Sequence, residues 1–348
     1  MSVKVQLLDQ NTSNQIAAGE VVEKPASVVK ELVENSLDAG ADTIEVSIFA
    51  GGTEFIRVRD NGSGMDEANA RMAILRHATS KIVKADDLLT LHTLGFRGEA
   101  LPSIASVSHF TLLTRETGAE FATRITLDGG EDLDVETMGG DVGTTITVKD
   151  LFYNVPARRK FLRTVNTEGR YISDILSKIA LSRPDVHLVL TRDDKEVINT
   201  PGSGDLVDTI ESLYGKEVTK ELLTVDYAQD GITLKGFISR PTLLKGTRQW
   251  QPLFVNGRCI NNRMVSKAID HAYQSQIPKA GFPFAVLNIG IDTHLIDINV
   301  HPQKSEIKFG DESAVYRAVY HGLCQALTQP MAGKREGDGS VALAQPGF

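Results

Sequence analysis

Between Pro25 and Arg59 the apolar residues switch from helical to alternating spacing within a few positions. The chain must therefore fold with a helix followed directly by a hairpin, each with one buried face. Val28, Val29, Leu32, Val33 and Leu37 recur at intervals that put them on one side of a helix. Pro25 suits an early helical position and Gly40 the position just past the end. Ile44, Val46 and Ile48 then alternate as in a half-buried strand. Gly51-Gly52 marks a turn, and Phe55 to Arg59 resumes the alternation.

Further along, a helical pattern covers Glu67 to His77, and a glycine-containing loop region runs to about Leu101. Strands are expected at Phe110–Arg115, Phe121–Leu127 and Thr144–Lys149. An amphipathic helix is expected over Arg170–Ser182, with Ile172, Ile175, Leu176 and Ile179 inward, and a hairpin over His187–Asn199, turning at Asp193-Asp194. Thr200 to Gly204 reads as a linker. Beyond it the pattern gives helices at Asp205–Tyr214, Arg263–Gln276 and Glu312–Leu327. Strands fall near Leu223–Tyr227, Ile232–Ser239, Leu253–Asn256, Ala285–Ile291 and Asp297–Val300, so a second α/β domain is expected. The Gly- and Ala-rich segment 331–348 lacks periodicity and is expected to be disordered.

At 348 residues the chain is long enough for two cores. No apolar run could span a bilayer, and the first residues lack a signal-type apolar stretch. Two cysteines, Cys259 and Cys324, make no disulfide framework and fit a reducing cytoplasm. The net charge of −8 leaves room for a local basic surface. One exists: from Val155 to Arg183 seven cations stand against two acids.

Two familiar phosphate-binding patterns are missing. There is no G-x-x-x-x-G-K-[ST], and the Gly62-x-Gly64 pair is followed by Glu67 where a dinucleotide loop needs glycine. Other residues carry the chemistry. Glu31 and Asn35, four apart on a helix, share a face; a carboxylate beside an amide oxygen suits a hard cation and an ordered water. Asp60, at a strand end before Asn61-Gly62-Ser63-Gly64, offers an acceptor for an exocyclic amine. Gly95-Phe96-Arg97-Gly98-Glu99-Ala100-Leu101 leads into a helix whose first amide groups could cradle phosphate. His77 to Lys81 could equally be a helix end. Each element alone is common; their order within about 70 residues points to a nucleotide site.

Together with Asn14–Val22 and Lys30–Gly40, these segments resemble the MutL family of DNA mismatch-repair ATPases, within the GHKL group. The match continues through Gly143-Thr144-Thr145, Leu151–Leu162, Phe254–Arg258 and Asp297–Lys304, covering about Leu7 to Leu327. The resemblance implies a Bergerat-type α/β sandwich over residues 1–200 and a smaller ribosomal-S5-like domain over 205–330. Glu31 then matches the general base and Asn35 the Mg²⁺ ligand. Asp60 matches the adenine-reading carboxylate, with Gly64 beside it. Thr145, with its neighbour Thr144, matches a supporting hydroxyl. Thr79, Lys81 and Gly95 to Leu101 match a lid over the triphosphate, and Lys304 a second-domain lysine reaching the γ-phosphate.

ATP and Mg²⁺ are the implied cofactors. The implied output is an ATP-dependent homodimer, in which Met1–Asn14, loose without ATP, covers the other subunit. Implied partners are DNA, bound without regard to sequence through Arg158, Arg159, Lys160, Arg163, Arg263 and Lys267, a mismatch-recognition protein and other repair proteins. Pro102 departs from the small residue common in the family. Family members also continue to a C-terminal dimerisation domain, in some a nuclease. No nuclease-type metal motif stands here, so an N-terminal portion is expected. Two rivals are a topoisomerase-type ATPase subunit and a nucleotide-gated scaffold that binds ATP without turnover. Tyr153–Leu162 and Asn256–Arg258 argue against the first, and Glu31 against the second.

Overall fold

The computed structural model describes Gly19, residues 22–76, Ala78 and residues 98–277, 281–297 and 307–328. The chain divides into two compact units: residues up to Leu176 with Val186–Asn199, and Ser177–Asp185 with everything from Thr200 onward.

In the first unit, helix α1 (Pro25–Asp38) carries Pro25 in its first turn and buries Val28, Val29, Leu32, Val33, Ser36 and Leu37. Gly40, at φ 75°, takes the left-handed conformation that ends helices. Strands β1 (Thr43–Phe49) and β2 (Phe55–Asp60) pair antiparallel. In the turn between them Gly51 sits at φ 67°, and a Cβ there would lie 2.5 Å from the Val165 carbonyl oxygen.

The remaining elements are α2 (Glu67–Ala73), α3 (Ala100–Ala105), β3 (His109–Arg115), β4 (Ala122–Asp128), β5 (Glu131–Met138), β6 (Gly143–Lys149), α4 (Pro156–Phe161), α5 (Val165–Ser182), β7 (His187–Arg192) and β8 (Lys195–Asn199). The eight strands form one sheet, ordered β5-β4-β3-β6-β2-β1-β7-β8. Only the β1–β7 junction is parallel. Helices cover one face, where Ile44, Val46, Ile48, Ile56, Val58, Phe110, Leu112, Ile125, Ile146 and Val148 are buried. The intervening residues, among them Glu45, Arg57, Arg59 and Arg124, lie on the other face.

Three expectations change. Helix α2 ends at Ala73 rather than near His77; it buries only Ala70, and Met72 and Leu75 remain about half exposed. In α5, Ile172 and Leu176 are buried, whereas Ile175 and Ile179 are only partly so. Strand β5 and helix α4 were not expected. The first lies between the glycine pairs Gly129-Gly130 and Gly139-Gly140 and forms as the outermost strand beside β4; the second buries no residue, so it leaves no apolar period to detect.

In the second unit, α6 (Leu206–Tyr214) and α7 (Lys216–Thr219) precede β9 (Leu222–Gln229) and β10 (Ile232–Ser239). There follow β11 (Leu244–Lys245), β12 (Leu253–Val255), β13 (Arg258–Ile260), α8 (Arg263–Tyr273), β14 (Phe282–Pro283), β15 (Ala285–Gly290), β16 (Ile296–Asp297), β17 (Lys308–Phe309) and α9 (Glu312–Leu327). Five strands make a sheet ordered β13-β12-β15-β10-β9. One core packs Leu234, Leu287 and Ile289 with α8 and α9 residues such as Val265, Ile269 and Val319. Another packs Phe237, Phe254, Phe284 and Val286 with Leu206 and Ile210 of α6 and Leu181. Among the described residues no helix is long and apolar enough to cross a membrane.

Candidate functional site

The site is built where α1 crosses the sheet. Asp60 ends β2 at the parity of Ile56 and Val58, so the strand pleat turns its carboxylate to the helix-covered side, where it is 9% exposed. A carboxylate in such a row needs donors. Ser36 of α1 donates its hydroxyl to Asp60 Oδ2 at 2.7 Å. The backbone N–H groups of Gly62, at 3.0 Å, and Thr144, at 3.2 Å, donate to Oδ1. An ionised carboxylate has about four acceptor positions. Among the described residues three are used, and one on Oδ2 remains for an incoming donor.

The loop after Asp60 is strapped from both sides. Asn61 Oδ1 accepts the N–H groups of Asp42 and Thr43 at 3.1 and 3.0 Å, and its amide donates to Asp42 at 2.6 Å. That bond, followed by one from Thr43, holds the Asp42 carboxyl below its ordinary pKa. The Met65 N–H donates to Thr114 Oγ1 at 3.0 Å, and the Thr117 N–H to the Ser63 carbonyl at 3.2 Å. Gly64 sits at φ 66°, and a Cβ there would lie 1.9 Å from the Arg115 carbonyl oxygen. Its side-chain-free space is thus taken by neighbouring backbone.

Glu31 and Asn35 stand one turn apart on α1, both partly exposed. Lys30 pairs with Glu34 at 3.4 Å rather than with Glu31. A partly solvated carboxylate next to an amide oxygen is a donor set that fits a hard cation retaining several waters.

The structure corrects one residue. Thr145 lies opposite Arg59 and Leu113, on the sheet face away from Asp60. Thr144 lies opposite Asp60 and Thr114, and its hydroxyl is 3.0 Å from that of Thr114. The hydroxyl beside the carboxylate therefore belongs to Thr144. Ser36 was missed in the sequence; its signal is a small polar residue at a buried position of an apolar helical stripe.

In the expected lid, Gly98 has φ 59°, and a Cβ there would lie 2.5 Å from the Ala78 carbonyl oxygen. Gly98 and Ala78 are thus held in close backbone approach. Glu99 precedes α3 without capping it through its side chain, and Ala100 and Leu101 form its first turn, with Pro102 next. Thr79, Lys81, Gly95, Phe96, Arg97, Lys304, Met1–Asn14 and the tail 331–348 lie outside the described residues.

The basic residues fall into two sets. Arg159, Lys160 and Arg163 are exposed. Arg158 differs: its guanidinium packs 6.0 Å from the Phe152 ring centroid and fills the space where a Cβ on Gly19 would go. Burial lowers its pKa from the ordinary value. Arg158 is thus half-buried against Phe152, whereas its three basic neighbours are exposed. In the second unit, Arg263 and Lys267 lie one turn apart on α8. With Asn262, Met264 and Glu312 they line an open surface depression of about 420 Å³.

Known proteins match this arrangement. The family model described as "Histidine kinase-, DNA gyrase B-, and HSP90-like ATPase" matches residues 23–137, and "DNA mismatch repair protein, C-terminal domain" matches 210–328. The protein named "DNA mismatch repair protein MutL" of Symbiobacterium thermophilum is 47% identical over 331 residues, 94% of this chain and 52% of the relative. The one of Thermoanaerobacter pseudethanolicus is 45% identical over 324 residues, 93% of this chain and 53% of the relative. The chain thus spans about half the length of these relatives.

A solved structure titled "Crystal Structure of N terminal domain of a DNA repair protein" superposes with a TM-score of 0.76 at 26% identity, covering 90% of this chain and 97% of that one. "Aquifex aeolicus MutL ATPase domain complexed with ADP" superposes with a TM-score of 0.63 at 28% identity, covering 86% and 98%.

Removing the Ser36 hydroxyl leaves an oxygen of a buried carboxylate short of its donor. Ser36→Ala is therefore expected to lower stability by about 1–3 kcal/mol, read by urea denaturation. An unchanged midpoint would show that the bond contributes nothing.

Proposed function

The chain belongs to the MutL family of DNA mismatch-repair proteins, with a GHKL ATPase fold followed by an S5-like domain, and on that premise we propose that it binds and slowly hydrolyses ATP to switch a DNA-associated dimer. The observation that carries this reading is the Asp60 carboxylate, held by three donors among the described residues, which leave one acceptor position. That position suits the exocyclic amine of adenine, which donates two hydrogens and accepts none at that nitrogen. The hydroxyl of Thr144 stands beside it. The ADP complex of the Aquifex aeolicus relative supports a nucleotide here.

Glu31, in the role of general base, takes a proton from the water that attacks the γ-phosphate. Its carboxylate suits this task because it is partly solvated and is not paired with Lys30. Asn35 holds Mg²⁺ through its side-chain oxygen, and the ion when bound neutralises phosphate charge. Gly98 to Leu101 belong to the lid. The roles of Thr79, Lys81, Gly95, Phe96, Arg97 and Lys304 rest on the family match alone. The boundary scheme of residues 1–200 and 205–330 rests on that match and on the linker pattern at Thr200–Gly204, and the two compact units add support while assigning Ser177–Asp185 to the second.

DNA binding is assigned to Arg158, Arg159, Lys160 and Arg163 in the first unit and Arg263 and Lys267 in the second. These cations would contact phosphates and so bind without sequence preference. The Aquifex and Symbiobacterium relatives carry MutL names, which supports a mismatch-recognition protein and other repair proteins as partners.

The test is Mg²⁺-ATP turnover with and without DNA across a salt series. DNA should stimulate turnover at low salt and lose its effect as salt rises. Glu31→Ala should keep ATP binding and lose at least about 100-fold in turnover; unchanged turnover would remove Glu31 from the role of base. A non-hydrolysable ATP analogue should convert monomer to dimer on size-exclusion chromatography, and a persistent monomer would contradict the switch.

A further inference from the structure

The Asn256-Gly257-Arg258 segment helps set this chain apart from a topoisomerase subunit, yet the chemistry proposed above gives it no task. It makes the turn between β12 and β13. Asn256 at φ 48° and Gly257 at φ 78° are both left-handed, as a two-residue hairpin turn of this kind requires. The turn is docked on the end of β15. The last backbone pair between β12 and β15 is Val255 opposite Ile289, and the Asn256 N–H donates to the Ile289 carbonyl at 2.9 Å. Beyond that point the Asn256 side chain takes over. Its Oδ1 accepts the Ile291 N–H at 3.0 Å, and its Nδ2 donates to the Ile291 carbonyl at 2.8 Å. A primary amide offers the donor and acceptor of a peptide unit, so it serves as one more rung of the ladder. The Gly257 N–H donates to Asn288 Oδ1 at 3.0 Å, which holds the turn in place from the strand itself.

Ile291 stands where the chain leaves β15. Asp292 caps the turn that follows by accepting the His294 N–H at 2.9 Å, and the Leu295 carbonyl accepts the Gly310 N–H at 2.8 Å. Strands β16 and β17 then pair, Ile296 with Phe309 and Asp297 with Lys308. Ile307 and Phe309 are buried in the core shared with α8 and α9. The span bracketed by these two strands contains Lys304. Burial seats its second end; the amide of Asn256 seats the approach to its first. A lysine that neutralises a transferring phosphoryl group works only when placed closely, because a shift of about 1 Å can cost about 100-fold in rate. Resting on the reading of Lys304 above, we propose that Asn256 is a positioning residue for ATP hydrolysis: its amide holds Ile291, and through it the β16–β17 base that carries Lys304.

The experiment measures Mg²⁺-ATP turnover and ADP affinity for the full chain, for Asn256→Gly, Asn256→Asp and Lys304→Met, and for each Asn256 variant combined with Lys304→Met. Glycine and aspartate both tolerate the left-handed backbone. Glycine removes both side-chain bonds; aspartate keeps the acceptor for the Ile291 N–H but sets an oxygen against the Ile291 carbonyl. Asn256→Gly should lower kcat by at least about tenfold, and Asn256→Asp should lower it in the same direction. ADP affinity should stay within about twofold in both, because ADP lacks the phosphate that Lys304 serves. In the combined variants the losses should not multiply: each should turn over at the rate of Lys304→Met. Asp205→Ala, which uncaps α6 in the same unit by removing the acceptor of the Val207 N–H, should keep the parent's kcat.

Losses that multiply in the combined variants would overturn this inference alone, and so would parental turnover in both Asn256 variants. An equal loss in Asp205→Ala would overturn it too, because general weakening of the unit would then account for the effect. If Asn256→Gly fails to fold, Asn256→Asp carries the same comparison with Lys304→Met. Parental turnover in Lys304→Met would overturn the role of Lys304, and no turnover in the parent would overturn the ATPase reading; the inference falls with either.

Discussion

A single buried carboxylate joins helix α1 to the sheet. Asp60 occupies a position that the β2 pleat would otherwise fill with an apolar side chain, and burying its charge is costly unless donors replace water. The donors come from three places in the chain: the Ser36 hydroxyl on α1, the Gly62 amide in the following loop, and the Thr144 amide on β6. Helix, loop and neighbouring strand are therefore registered against one group. Because Ser36 follows Asn35 directly and lies five residues beyond Glu31, the same bond sets the height and rotation of the helical face that carries the proposed chemistry.

Glycines complete the junction by allowing backbone to approach backbone. At Gly143 the chain has φ 110°, and a Cβ there would lie 2.2 Å from the Asp60 carbonyl oxygen. At Gly64 the Arg115 backbone takes the space. Any side chain at either position meets both a left-handed backbone and a main-chain clash. These residues serve the seating of the loop around Asp60, and the acceptor left on the carboxylate is a consequence of that seating.

Much of this was legible in the residues. The α1–β1–β2 segment follows from its apolar spacing almost to the residue, and α9 matches the expected Glu312–Leu327. Elements that rely on burial of an apolar face leave a period in the sequence. β5 does alternate, with Leu133 and Val135 set among acids, and pairs with β4; α4 buries nothing and leaves no period. In the site, Glu31, Asn35 and Asp60 are proposed from their type and spacing together with the family resemblance. The choice between Thr144 and Thr145 was not legible, because it depends on which face β6 turns to Asp60, a matter of register. Arg158 looks like its neighbours in sequence; only the packing of Gly19 and Phe152 around it sets it apart.

The central claim is that the remaining acceptor of Asp60 reads an exocyclic amine. The most direct measurement is calorimetric titration of the wild-type chain with ATP and with inosine triphosphate, which presents a carbonyl where adenine has the amine. A polar site deprived of its partner rejects the analogue strongly. The account predicts binding of inosine triphosphate weaker by at least about tenfold. Equal affinity for the two nucleotides would contradict it.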